Sequence, residues 1–263
     1  MTRLAFACKA RGSMTSSLFI IVAAGAVVAG FVQGLSGFAF GLVAMSLWAW
    51  FIEPRLAAAM VVLGSFAGQL LAVFSVRRGF NLRLLLPFLI GGLAGVPVGT
   101  LLLPYLDIDL FKLLLGLLLV LWCPAMLMSS QLPRVHAGPA ADGAVGFLGG
   151  ILGGIGGYTG AIPTLWCTLR GLEKDTQRAI IQNFNLGILS VTLLVYIATG
   201  LITVQMLPVF AVLIPAMLIP AFLGTRLYIG ISEATFRRIV LGLLTASGVA
   251  LLASALSHYL SRG

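Results

Sequence analysis

Seven stretches of this 263-residue chain contain no Asp, Glu, Lys or Arg: residues 12–52, 56–76, 84–106, 113–133, 143–169, 179–225 and 239–261. Their lengths are 41, 21, 23, 21, 27, 47 and 23 residues. A helix that crosses a bilayer needs about 20 apolar residues. Four of the stretches therefore read as single spans. The 47-residue stretch holds two spans with a turn near Gly200, and the 41-residue stretch holds two short ones with a turn near Gly34–Gly37. The 27-residue stretch is too long for one simple helix and too short for two.

Composition excludes the soluble alternative. Apolar residues make up 60% of the chain and charged residues 9%, against roughly half and a quarter in soluble domains. The net charge of +9 does not indicate nucleic acid as a partner. The Lys and Arg residues fall in short gaps between apolar stretches, the pattern of membrane topology rather than of a phosphate-binding face. Cys8, Cys123 and Cys167 form no CxxC pair, and His136 and His258 stand apart. No metal constellation and no cofactor is read from the sequence. No GxxxxGK[ST] motif for nucleotide phosphates occurs.

The chain repeats itself. At a shift of 120 residues "GLSGFAFGLV" (34–43) falls on "GIGGYTGAIP" (154–163), and Glu53 on Glu173. At 121 Pro87 meets Pro208, and at 125 Gly99-Thr100 meets Gly224-Thr225. At 126 Lys112 meets Arg238 and "LGLL" (115–118) meets "LGLL" (241–244). The fold class expected is an all-α polytopic membrane protein of two inverted repeats. Each repeat is a glycine-broken short or re-entrant helix pair followed by three spanning helices, about 8–10 membrane helices in total. The divisions are a tail at 1–17, a first repeat at 18–130, a linker loop at 131–142 and a second repeat at 143–260. The charged and then apolar N-terminus resembles a signal peptide, but the repeat makes that apolar run an integral element.

Three crossings or five per repeat are both odd, so the second repeat starts from the other side. Under that arrangement one side carries 10 Lys and Arg residues and the other 6. The richer side is expected in the cytoplasm, with both termini periplasmic. A start at Met14 would make the ratio 10 to 3.

Glycine fills 8 of the 15 positions from Gly146 to Gly160, although each costs a helix about 1 kcal/mol relative to alanine. Two explanations stand. Gly149/Gly153/Gly157 and Gly150/Gly154 recur at a spacing of four, which lets membrane helices approach closely. Alternatively the glycines break the helix, and the unwound turn presents backbone N–H groups to an anion. A break lining a cavity would tolerate Gly157→Ala structurally, whereas pure packing would not.

The segments "FVQGLSGFAFGLVAMSLW" (31–48) and "GGILGGIGGYTGAIPTLW" (149–166), with the duplicated arrangement, resemble the TauE/SafE sulfite exporter family, also called the toluene sulfonate uptake permease group. The resemblance covers nearly the whole chain. It implies transport of a small sulfur oxyanion or organosulfonate across the bacterial inner membrane, without saying which substrate or in which direction. A secondary carrier that exports a sulfite-like anion is the function expected, and no enzyme, because the sequence offers no Ser–His–acid arrangement or metal cluster. An anion channel and a carrier for another small organic anion are the alternatives.

The candidate substrate-binding residues are Gln33, Gly34, Ser36, Gly37, Ser65, Gln69, Gly156, Gly157, Tyr158, Thr159, Gln182 and Asn185. Gln182, Asn185 and Thr192 share one helical face with Arg178, and the repeat partner of Asn185 is Ser65. Interhelical hydrogen bonding is the competing reading for these polar groups. Glu53, Glu173 and Arg178 are candidate coupling residues, with helix capping or loop ion pairing as the alternative for the two acids. The partners expected are a small anionic substrate, the lipid bilayer, a proton or sodium ion for coupling, and a second copy in a homodimer.

Overall fold

The structure is a computed structural model, and it describes residues 2–36, 39–75, 81–129, 133–226 and 233–262. The described residues contain ten α-helices in two sets of five. The first set is α1 (Thr2–Ser36), α2 (Phe40–Trp48), α3 (Pro54–Ser75), α4 (Leu82–Leu102) and α5 (Ile108–Met128). The second is α6 (Pro139–Gly156), α7 (Ala161–Leu169), α8 (Lys174–Ala198), α9 (Leu207–Arg226) and α10 (Glu233–Arg262). α1 takes in the residues assigned to a tail, and the first turn of α6 takes in the end of the linker. Among the described residues, seven helices are long and apolar enough to cross a bilayer: α1, α3, α4, α5, α8, α9 and α10. The nine-residue α2 and α7 rise only about 14 Å, half the hydrocarbon thickness.

Local chemistry fixes the ends. Asn81 and Asp107 cap α4 and α5, each side chain accepting a hydrogen bond from the N–H three residues on, at 3.3 and 2.7 Å. Pro139 opens α6, where its missing N–H costs nothing. Gly157 closes α6 in the left-handed region at φ 73°, which only glycine enters freely.

Helices pair in matched fashion across the two sets. α4 runs parallel to α6, with Gly91 at Gly143, Gly95 at Phe147 and Gly99 at Ile151. The corresponding α1 and α9 are also parallel, with Gly30 at Met217 and Gly34 at Ala221. α5 and α10 are antiparallel: Arg237 donates to the carbonyl of Met126 at 3.2 Å, while His258 lies 3.5 Å from Asp109 at the opposite end. α3 and α8 sit in the middle, with 56% and 50% of their apolar windows buried against 28% for α9 and α10. Apolar side chains such as Leu101, Leu194, Ile219 and Leu243 project outward, as a lipid-facing surface requires.

The glycines of α6 divide into two stripes. A β-carbon on Gly146, Gly150 or Gly154 would collide with backbone of α4, at Phe88, Gly92 and Val96 respectively. A β-carbon on Gly149 or Gly153 would instead meet Thr159, and on Gly149 also Pro163 at 3.1 Å. α6 is therefore flanked closely on one side by another helix and on the other by its own returning chain. We expect Gly150→Ala to destabilise the protein by about 1–3 kcal/mol, because an added methyl meets backbone that cannot rotate away. Alanine at Gly242, which has nothing within 4 Å of its β-carbon position, should be neutral or slightly stabilising. Thermal unfolding in detergent checks the pair.

Candidate functional site

Both glycine-rich segments form helical hairpins. α7 doubles back along α6: Thr159 packs at Gly153 and Pro163 at Gly149. Further from the tip, the Trp166 indole donates to Asp142 Oδ1 at 2.8 Å. The Arg170 guanidinium donates to both oxygens of Asp142, at 2.9 and 2.7 Å. α2 doubles back along α1 in the same way. Gln33 Oε1 accepts from the N–H of Phe40 at 3.0 Å, and the Trp48 indole donates to the carbonyl of Ile21 at 3.2 Å. Thus the 27-residue stretch is one hairpin, and the two charges that bound it, Asp142 and Arg170, are ion-paired to each other.

The hairpins open toward opposite ends of the bundle. α6 begins, and α7 finishes, at the Asp142 end. α8 leaves from that end, α9 starts from the other, and α1 runs parallel to α9. Rising from Asp142, Gly156 lies about 21 Å deep. The two hairpins meet inside the bundle. A β-carbon on Gly41 would stand 3.2 Å from the Gly157 carbonyl and 3.4 Å from the Tyr158 ring. One on Gly157 would stand 2.9 Å from Val61 and 3.2 Å from the backbone nitrogen of Val62.

The tips are tied differently. The Thr159 hydroxyl donates to Asn185 Oδ1 of α8 at 2.8 Å. The Asn185 amide also lies against Gly160. The Tyr196 hydroxyl donates to the carbonyl of Gly154 at 2.6 Å, covering one of the acceptors left at the end of α6. In the first hairpin the corresponding ties come from within: Gln33 serves Phe40, and the Ser36 hydroxyl accepts from the N–H of Ala39 at 3.3 Å while donating to Val32 at 2.7 Å. From outside, Trp122 of α5 donates to the carbonyl of Ala161 in α7 at 2.7 Å, and Ser247 of α10 to that of Ser46 in α2 at 3.3 Å.

Most of the residues singled out from the sequence converge here. Gln33, Ser65, Gln69, Tyr158, Thr159, Gln182 and Asn185 are buried. Gln33 touches Gly68, one residue before Gln69. Gly156 underlies the Tyr158 ring. Gly34 faces α9, and Gly37 lies outside the described residues. Glu53, Glu173 and Arg178 are exposed, where α3 and α8 begin. Gly157→Ala does not separate the packing and break readings as expected, because φ 73° and the contact with Val61 make alanine strained under either. Sequence reasoning missed Asp142, Trp166 and Arg170, whose signal was their position at the two edges of the anomalous stretch. It also missed Trp48, Thr100 and Tyr196. The Ser65, Thr100, Tyr158 and Thr164 hydroxyls are buried without a hydrogen-bond partner.

The family described as Sulfite exporter TauE/SafE has a sequence model that matches residues 22–251. The match spans most of the chain, so the chain belongs to that family and is a multi-pass membrane transporter. No curated protein and no solved structure matches it.

The Thr159–Asn185 bond gives a direct test of tip geometry. Asn185→Leu leaves a buried hydroxyl unpaired and should cost about 1–3 kcal/mol of stability. Adding Thr159→Val to it should recover part of that loss. A double-mutant cycle on thermal unfolding reads the coupling, and strict additivity would mean that the bond is not formed.

Proposed function

We propose that this TauE/SafE protein is a secondary carrier that exports a small sulfur oxyanion or organosulfonate, sulfite above all, across a bacterial inner membrane. The substrate sits between the two hairpin tips. One observation carries the reading: two hairpins opening toward opposite ends meet at Gly41 and Gly157, beside buried hydroxyls at Ser65 and Tyr158 that have no protein partner. A site approached from opposite ends by related, glycine-broken elements suits alternating access. Irregular backbone at membrane depth is tolerated where it is enclosed by protein or lines a cavity. The short α2 and α7 both begin at the tips, so their N-termini add positive potential there. The family description supports sulfite as cargo and export as direction.

We read the two halves as inverted repeats, with the Asp142 end in the cytoplasm and both termini periplasmic. The matched pairings of α1 with α9 and α4 with α6 support the first reading. The 10-to-6 distribution of Lys and Arg supports the second. Glu53, Glu173 and Arg178 are assigned a coupling role at the mouths, where a proton or sodium ion would meet water-exposed groups.

Purified protein in proteoliposomes should take up labelled sulfite saturably and exchange it against unlabelled sulfite. Unitary conductance without counterflow would make the protein a channel. Cysteines introduced by Asn81→Cys and Tyr105→Cys should react with impermeant maleimide from opposite sides, position 81 from the cytoplasm. Reaction of both from the same side would overturn the topology.

A further inference from the structure

The two halves of the sequence are not the two units of the packing. α4 belongs to the first half, yet it lies backbone to backbone with α6. Gly91, Gly95 and Gly99 face α6 at Gly143, Phe147 and Ile151, and Gly146, Gly150 and Gly154 face α4 in return. α8 joins this pair. The Phe88 and Phe184 rings meet edge to face at 6.3 Å, and Asn185 and Tyr196 are bonded to the hairpin that α6 and α7 form. α6, α7, α8 and α4 therefore make one body. Its counterpart is α1, α2, α3 and α9. α9 belongs to the second half, yet Gly30, Gly34 and Gly224 set its backbone against that of α1. α3 joins through Phe40, which covers Gly64, and through Gln33, whose amide nitrogen lies 2.9 Å from where a β-carbon on Gly68 would stand.

The contacts between the bodies are of another kind. A glycine set against backbone holds two helices in register, because the notch it leaves is one residue long. Side chains facing side chains can slide as they change rotamer, the shear by which packed helices move past one another. α3 lies along α8, and the glycines of these two helices face inward to their own bodies: Gly64 to Phe40, Gly68 to Gln33, and Gly187 to Leu89. The hairpins touch at their tips, where Gly41 faces Gly157, and not along a stripe. At the exposed surface Arg55 of α3 donates to the carbonyl of Pro104, just beyond α4, at 3.2 Å. α5 and α10 link the bodies. α5 follows α4 and holds α7 through Trp122, α10 follows α9 and holds α2 through Ser247, and the two cross at Gly116 and Gly248. The chain passes from one body to the other at 199–206, where Gly200 stands at φ 71° with nothing within 4 Å of its β-carbon position.

We infer that transport moves two bodies, each of which takes a helix from the other half of the sequence: α1, α2 and α3 with α9, against α6, α7 and α8 with α4. α3 shears against α8, while α5 and α10 keep the bodies joined. The inference rests on the carrier reading proposed above and is independent of where the substrate binds. It departs from the simplest picture of inverted repeats, in which the sequence halves themselves rock against each other. The two pictures make opposite forecasts for a bridge from α4 to α8 and for one from α3 to the end of α4.

The test is sulfite exchange by the full chain in proteoliposomes, measured on two cysteine pairs before bridging, after bridging and after dithiothreitol. Cys123 and Cys167 are buried, so both pairs are made in the native chain, with each single substitution as the control for reagent acting elsewhere and mass measurement to confirm each bridge. Leu89→Cys with Gly187→Cys joins the two sequence halves inside one body. Leu89 Cδ2 lies 3.1 Å from where a β-carbon on Gly187 would stand, so the new side chains take the place of the leucine. Oxidised to a disulfide by copper phenanthroline, this pair should keep exchange within about twofold of the reduced protein. Arg55→Cys with Pro104→Cys joins the two bodies inside one sequence half. Bridged by a short bis-methanethiosulfonate, it should lose exchange by at least about tenfold and recover it with dithiothreitol. Loss in the first pair with retention in the second would mean that the sequence halves are the moving parts, and would overturn the inference while leaving the carrier reading in place. Loss in both, or retention in both, would overturn it as well. Absence of sulfite exchange by the unsubstituted chain would sink the carrier reading itself, and the inference with it.

Discussion

Backbone-to-backbone contact through glycine is the constraint on which the rest of this architecture depends. Apolar side chains gain little by leaving lipid for protein, so membrane helices associate through van der Waals packing and close approach. α6 takes this further than its neighbours. One stripe, Gly146, Gly150 and Gly154, brings α4 up to its backbone. The other, Gly149 and Gly153, leaves room for α7 to return along it. The glycine content answers two packing demands on opposite faces of one helix, and the helix is held by what surrounds it rather than by its own propensity. Gly30, Gly34 and Gly224 do the same work, more sparsely, between α1 and α9.

The two hairpins share a plan and differ in how they are fastened. Trp48 and Trp166 each reach back to the opposite arm, the first to a backbone carbonyl and the second to a carboxylate. The tip of the second hairpin is tied to α8 through Asn185, while the amide serving the first, Gln33, lies on the hairpin's own helix. The two hairpins therefore match in geometry and differ in their polar ties. Ser65, which falls opposite Asn185 when the halves of the sequence are aligned, has a buried hydroxyl without a hydrogen-bond partner, where Asn185 has a completed bond.

The membrane class and the five-helix order of each half were legible in the sequence, because charge-free length is a direct consequence of the solvent. The buried amides were legible too: Gln182 and Asn185 interrupt an apolar run, and both are buried on α8. Hairpin and spanning pair could not be separated, since periodicity says nothing of whether a chain continues or returns. The two glycine explanations also proved not to be alternatives. Gly154 packs against α4, and Gly157, three residues later, turns the chain at φ 73°. Long-range partners such as Tyr196 for Gly154, 42 residues apart, leave no local signature. The aspartate and arginine at the edges of one stretch did leave one, in the form of a length that fitted no single element.

That ion pair bears on how the chain enters the bilayer during synthesis. Asp142 leaves the ribosome 28 residues before Arg170. Until the guanidinium emerges, α6 carries an uncompensated carboxylate in its first turn and eight glycines' worth of weak helix around its tip. The carboxylate gains its counter-charge only once α7 has been made and lies back along α6, so the complete hairpin, not α6 alone, is the unit in which both bounding charges are paired.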